Sequence, residues 1–143
     1  MKNMFLCSKK KKRKKLIKKN MKILLKAQQG ELDAVAMYNA LADKVKDEND
    51  AKVFKQLAAE EGGHASVFQK LTENSKLKPK KTKAIAVPML YKFAGKKICY
   101  PLIAIGEYNA VRLYRPVAKK FPEVKSVKND EKRHGDTVRA LLK

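Results

Sequence analysis

The feature that most constrains this chain is a repeated pattern of glutamate and histidine. The chain has two histidines, and each follows a glutamate by three residues: Glu61 precedes His64, and Glu131 precedes His134. Side chains three residues apart on an α-helix lie on the same face, where a carboxylate and an imidazole can bind one metal ion together. A single such pair is usually a solvated surface pair, whereas two pairs in matching contexts favour a metal site.

An internal repeat surrounds the two pairs. Residues 30–38 and 106–114 carry identical Gly, Glu, Ala, Val and Tyr residues at matched positions. Glu31 in the first copy precedes the first Glu-His pair, and Glu107 in the second copy precedes the second pair. We interpret the chain as two copies of one ancestral helical hairpin.

The spacing within each half supports this interpretation. In an antiparallel hairpin, residues equidistant from the turn lie at the same level. The midpoint between Glu31 and the first pair falls near Asp47, and the midpoint between Glu107 and the second pair falls near Lys120, just before Pro122. Polar residues and proline are both typical of helix ends. Four carboxylates and two imidazoles are therefore predicted to meet at one level of a helical bundle.

The predicted fold is all-α, a four-helix bundle of two hairpins joined by a long crossover. Apolar residues around Glu31 recur with helical periodicity, so this glutamate is predicted to face the core. The predicted helices are residues 21–46, 50–72, 97–120 and 123–142. The crossover is residues 73–96, and its apolar part, 84–93, is predicted to pack over the bundle or a partner. The length suits one domain, assigned to residues 21–143.

Buried carboxylates indicate the class of cofactor. An isolated buried carboxylate costs several kcal/mol unless it is paired or bound to a metal. Two divalent ions would neutralise four carboxylates. Carboxylate and imidazole ligands suit iron or manganese better than a structural zinc site, which prefers thiolates. We predict two iron ions, with manganese or a mixed pair as the alternative.

These residues resemble the rubrerythrin-like members of the ferritin-like superfamily, over residues 21–142. In that fold, two helices each contribute one glutamate and two helices each contribute Glu-x-x-His. The resemblance implies six metal ligands: Glu31, His64, Glu107, His134, Glu61 and Glu131. It also implies that Glu61 and Glu131 bridge the two ions. Tyr38 matches a family tyrosine that hydrogen-bonds a ligand carboxylate, and Tyr114 is its counterpart in the second repeat.

Two departures from the family pattern bear on the activity. Rubrerythrins usually carry another glutamate three residues after the third-helix ligand, a residue linked to peroxide reduction, and this chain has Ala110 there. The rubredoxin module of the family needs four cysteines, whereas this chain has only Cys7 and Cys99. An external electron donor, such as a rubredoxin-like protein, is therefore expected.

The resemblance implies a non-haem di-iron oxidoreductase that reduces hydrogen peroxide or oxygen in oxidative-stress defence. One alternative is a ferroxidase that handles iron, which Ala110 favours. Another is a di-iron oxygenase at a membrane surface. A third is a non-enzymatic bundle that binds polyanions and uses its metal structurally. A homodimer is expected only by analogy with the family.

Positive charge is the second prominent property, because 35 Lys and Arg against 14 Asp and Glu give a net charge of +21. Residues 1–20 are predicted to form a flexible basic arm. The arm either contacts an anionic polymer or membrane surface, or is a solubilising tail, or precedes a true start at Met21. No apolar stretch is long enough to cross a membrane, and two cysteines suggest a reducing compartment, so a cytoplasmic location is expected.

Overall fold

The computed structural model describes the chain from Lys2 to Lys143, with side-chain surroundings from Ser8 onward. Over this range the chain forms helices and no strands, which confirms the all-α prediction. The helices are α1 (Lys2–Ala42), α2 (Glu48–Thr72), α3 (Thr82–Ala94), α4 (Lys96–Ala118) and α5 (Pro122–Ala140). Helices α1, α2, α4 and α5 correspond to the four predicted bundle helices.

The turns of the two hairpins lie where the spacing placed them. Asp47 precedes α2, and its side chain accepts a hydrogen bond of 2.9 Å from the backbone N–H of Asp50. This contact satisfies one of the backbone donors that a helix N-terminus leaves free. Pro122 is the first residue of α5, where its missing N–H costs little. Glu73, the residue directly after α2, adopts the left-handed conformation that commonly terminates helices, with φ of 55°.

The first helix differs most from its prediction. Its start was predicted at residue 21 and its end at residue 46, whereas α1 begins at Lys2 and ends at Ala42. The predicted boundary at residue 20 is therefore not marked by a break in the helix. Lysine and arginine are good helix formers, so a basic run can prolong a helix without packing against other elements. Residues 8–19 are indeed exposed along their whole length.

The crossover between the two hairpins contains a helix that the sequence pattern did not predict. Helix α3 packs against α1 and α4, and its Val87 and Leu90 contact the apolar core. The backbone N–H of Lys80 donates to Asp33 Oδ1 at 2.7 Å, which holds the approach to α3 against α1. The predicted packing of residues 84–93 over the bundle is thus confirmed. Pro88 lies inside α3, and this residue made a helix a poor expectation there.

The core consists of two apolar layers with a polar layer between them. The first layer lies toward the α1–α2 turn and contains Met37, Tyr38, Leu41, Phe54, Leu57, Tyr100, Ile103 and Val138. The second layer contains Leu24, Ala27, Phe68, Tyr114, Val117, Val124 and Val127. Burial of each large apolar side chain stabilises the fold by about 1.5–3 kcal/mol, so the two layers support the polar layer from both sides.

Candidate metal centre

The polar layer brings together all six residues predicted as metal ligands. Helices α1 and α4 contribute one glutamate each, while α2 and α5 contribute a glutamate and a histidine each. All six are buried, with exposed fractions of 6% or less: Glu31, Glu61, His64, Glu107, Glu131 and His134. Potential ligand atoms of the two Glu-x-x-His pairs lie within 4.8 Å of one another. The side chains therefore converge on one point from four helices.

The two histidines and the two glutamates beside them are arranged reciprocally. His64 Nδ1 is 2.9 Å from Glu131 Oε1, and His134 Nδ1 is 3.0 Å from Glu61 Oε1, so each imidazole faces the glutamate of the other hairpin. The Glu61 and Glu131 carboxylates each lie within 3.7 Å of both Nδ1 atoms. The imidazole rings stack with their centroids 5.3 Å apart. Both carboxylates thus occupy a central position between the two imidazoles.

The remaining two glutamates lie on either side of this central group. Glu31 Oε2 is 3.6 Å from His64 Nδ1, which places Glu31 beside the first histidine. Glu107 accepts a hydrogen bond from the Tyr38 hydroxyl and lines the same cavity as Glu31 and Glu131. Glu31 therefore lies next to His64, and Glu107 lies next to Tyr38.

Two tyrosines cross between the hairpins. The Tyr38 hydroxyl donates a hydrogen bond to Glu107 Oε1, and the Tyr114 hydroxyl donates to Glu31 Oε1. The hydrogen bond that the resemblance implied for Tyr38 is present, and Tyr114 makes the equivalent one. Because each tyrosine of one repeat reaches the glutamate of the other, α1 and α4 run antiparallel past the polar layer.

An outer pair of acidic residues, which the sequence did not predict, lies behind the two imidazoles. Glu60 Oε2 is 2.7 Å from His134 Nε2, and Asp130 Oδ2 is 3.2 Å from His64 Nε2. Arg133 donates to both acids, at 2.6 Å to Glu60 and 3.2 Å to Asp130. When Nε2 holds its proton for the outer carboxylate, Nδ1 presents a lone pair to the centre. The available signal was the acidic residue immediately before the glutamate of each Glu-x-x-His.

Burial and mutual repulsion perturb the acids of this layer. Burial, reinforced by Glu31 and the other nearby carboxylates, raises the pKa of Glu61 well above its usual value, and burial likewise raises the pKa of Glu107. Burial and neighbouring carboxylates raise the pKa of Glu131 to about 10. Burial opposes ionisation of Glu31 too, but hydrogen bonds with Glu61, His64 and Tyr114 outweigh it and lower the pKa of Glu31. The layer carries more acid than its two imidazoles can balance.

One atom of the layer has no donor at all. Glu131 Oε1 is buried and has no hydrogen-bond partner among the described residues. His64 Nδ1 is only 2.9 Å away, but it does not meet the angular requirement of a hydrogen bond. Buried polar atoms without partners are rare, and a cation would satisfy this oxygen. Four carboxylates and two imidazoles also form a donor set suited to iron or manganese, so the residues fit a pair of divalent ions.

The fold and this layer define a class of protein. One glutamate from each of two helices, with Glu-x-x-His from each of two others, is the arrangement of the ferritin-like di-iron carboxylate bundles. The Rubrerythrin family model matches residues 22–142, and the chain belongs to the rubrerythrin family. With two cysteines, these 143 residues cannot form a four-cysteine rubredoxin site. No curated protein and no solved structure gives a significant match.

Proposed function

We propose that this protein is a non-haem di-iron oxidoreductase that reduces hydrogen peroxide or oxygen. The observation that carries the proposal is the buried group Glu61, His64, Glu131 and His134, whose ligand atoms lie within 4.8 Å of one another in a rubrerythrin-family chain. Oxidative-stress defence is the role that this reaction would serve.

In this proposal the polar layer would hold a pair of iron ions. The residues that would bind them are Glu31, Glu61, His64, Glu107, Glu131 and His134. Iron would supply electrons for reduction and Lewis acidity to polarise the oxidant. Because this centre can return only the electrons it receives, an external donor such as a rubredoxin-like protein is part of the proposal.

The protein's own groups prepare the layer for this chemistry. Burial raises the pKa of Tyr38 and Tyr114 well above the usual value, with nearby carboxylates adding to the effect, so both hydroxyls stay neutral donors. Glu60 and Asp130 orient the imidazoles from outside. The two apolar layers shield the polar layer from above and below, which strengthens electrostatic interactions within the site.

The deciding experiment loads the protein anaerobically with ferrous iron and counts bound iron per chain. The optical spectrum is then followed while hydrogen peroxide, and separately oxygen, is titrated. Two irons per chain with fast oxidation by peroxide and slow oxidation by oxygen would support peroxide reduction. Binding of less than about one iron per chain would contradict the di-iron proposal. Glu61→Ala is the matched variant, and it is expected to lose both iron binding and oxidation.

Ferroxidation is the second candidate, and Ala110 is the observation that favours it. This alanine replaces the glutamate that the family associates with peroxide reduction. Under this alternative, oxygen oxidises the ferrous centre quickly and the protein continues to take up iron beyond two per chain. Oxidation that stops at two irons would count against it.

A further inference from the structure

A cavity of about 430 Å³ lies beside the polar layer, between α1, α3 and α4. The carboxylates of Glu31, Glu107 and Glu131 form part of its lining. A water-sized molecule such as oxygen or peroxide needs roughly 30 Å³. The cavity exceeds that need more than tenfold and falls within the roughly 300–1,000 Å³ typical of sites for organic ligands. The reduction of a small oxidant therefore does not explain its size.

Small residues keep the cavity open. Gly30 and Gly106 occupy matched positions in the repeat and both line the cavity, as does Ala110. A Cβ atom added at either glycine would meet no other atom within 4 Å, so close packing does not explain these residues. Glycine inside a helix weakens the helix. Gly30 and Gly106 therefore leave space next to Glu31 and Glu107.

The lining is apolar inside and positively charged at its exposed edge. Met37 and Ile103 are buried, and Val87 is half-buried, whereas Lys26 and Lys83 are exposed. The only acidic side chains that line the described cavity belong to the polar layer. An anionic group would be repelled by the Glu31 carboxylate inside and attracted by the two lysines at the edge, while an apolar chain would be favoured within.

We propose that this cavity binds an amphiphile with one anionic group and an apolar chain, such as a long-chain carboxylate. The anionic group lies at Lys26 and Lys83, and the chain lies along Met37 and Ile103 beside Ala110. This binding site goes beyond the proposed oxidoreductase function and requires no redox step.

The first test measures binding of a dansyl-labelled undecanoic acid and its displacement by laurate, with iron-free and iron-loaded protein. One displaceable ligand per chain is expected. Gly106→Leu places a side chain in the cavity and is expected to weaken laurate binding about tenfold or more. Gly63→Leu is the matched control, because Gly63 also lies within a helix with open space around it but outside the cavity. Helix content and bound iron are measured for each variant, which separates loss of the ligand site from loss of the fold or of the metal.

The second test examines the two lysines at the exposed edge of the cavity. Lys26→Glu and Lys83→Glu are each expected to weaken laurate binding about threefold or more. Lys125→Glu, at an exposed position on α5, is the control and should bind laurate normally. Methyl laurate, which lacks the charge, is expected to bind more weakly than laurate. Equal binding of the two ligands would overturn the role assigned to the lysines. Unchanged displacement in Gly106→Leu would overturn the site, since the ligand would then be held elsewhere, such as on the exposed apolar faces of α3 and α4.

Discussion

Tyr38 and Tyr114 each supply a buried hydroxyl to a carboxylate of the opposite hairpin. Replacement of Tyr38 by Phe leaves Glu107 Oε1 without its donor, and an unsatisfied buried acceptor costs about 1–3 kcal/mol. We expect Tyr38→Phe to lower the free energy of unfolding by that amount, measured by urea denaturation, and to slow oxidation of the iron-loaded protein. Tyr108→Phe is the control, because its hydrogen bond to Asp136 is exposed. Equal losses in the two variants would contradict the special role of the buried bond.

The outer acids are expected to control metal affinity. Removal of a carboxylate that holds the second nitrogen of a ligating histidine typically weakens metal binding by about 10–100-fold. We expect Glu60→Gln and Asp130→Asn each to have an effect of this size, measured by competition with a chelator for iron. Asp136→Asn, an exposed acid on α5, is the control and should bind iron normally. Wild-type affinity in both outer-acid variants would show that the two imidazoles need no such support.

At the scale of single residues, the sequence was sufficient to predict which repeated side chains meet in the polar layer. Two histidines and their matched glutamates and tyrosines stand out, because these residues are few and their spacing recurs. Glu60 and Asp130 did not stand out, since an acid on a helix is usually solvated and no spacing rule links it to a histidine in another helix. Their partnership depends on how the hairpins dock, which local pattern does not reveal.

The helices themselves offer a test of local packing. A Cβ atom added at Gly63 would meet no atom within 4 Å, so Gly63→Ala removes the conformational cost of glycine without a clash. We expect it to stabilise the protein by roughly 0.5–1 kcal/mol in urea denaturation. Gly135→Ala should lack this gain, because its added Cβ would lie 2.5 Å from Tyr108 Cε1 and the ring would have to move. Similar gains at both positions would contradict this account of the packing.

Helix positions were predictable wherever amphipathic periodicity and turn chemistry agreed. The α1–α2 turn and the start of α5 followed from the polar stretch near Asp47 and from Pro122. Helix α3 escaped prediction because Pro88 interrupts its sequence and both of its faces carry apolar residues. The continuation of α1 to Lys2 escaped prediction because a run of like charge suggests disorder, although the individual residues favour a helix.

For the whole molecule, the shifted acids predict how stability depends on pH in iron-free protein. The pKa of Glu131 is raised to about 10, so its contribution to stability is full below an unfolded value of about 4.5 and is lost as pH rises toward about 10. Burial lowers the pKa of His64, but its close contacts with Glu131, Glu31 and Glu61 outweigh burial and raise this pKa, so its contribution likewise declines at high pH. The melting temperature should therefore fall between about pH 6 and about pH 9.

Iron should reverse this trend. Metal ligands must be deprotonated to bind, so iron affinity, and with it the stabilisation by iron, increases with pH. Thermal melts of iron-free and iron-loaded protein across the same pH range provide the measurement. Parallel curves for the two forms would contradict the assignment of the buried acids as ligands.

The basic amino-terminal part of α1 should act separately from the polar layer. Residues 8–19 are exposed, and removal of residues 1–20 takes away much of the local positive charge. We expect the full chain to bind heparin or DNA in a salt-sensitive way, and the truncated protein to lose most of this binding while keeping two irons per chain. The slope of affinity against salt concentration is the measurement. Loss of iron by the truncated protein would show that the two regions depend on each other.

The crossed contacts make the two hairpins mutually dependent. A hairpin folded alone would hold only three of the six candidate ligands, its histidine would lack its outer acid, and its tyrosine would lack its acceptor. A nascent chain could therefore not assemble the centre until its last helix had been synthesised and had docked. We expect tight iron binding only after both hairpins have folded and docked. A truncated or half-folded chain would then leave ferrous iron unbound in solution.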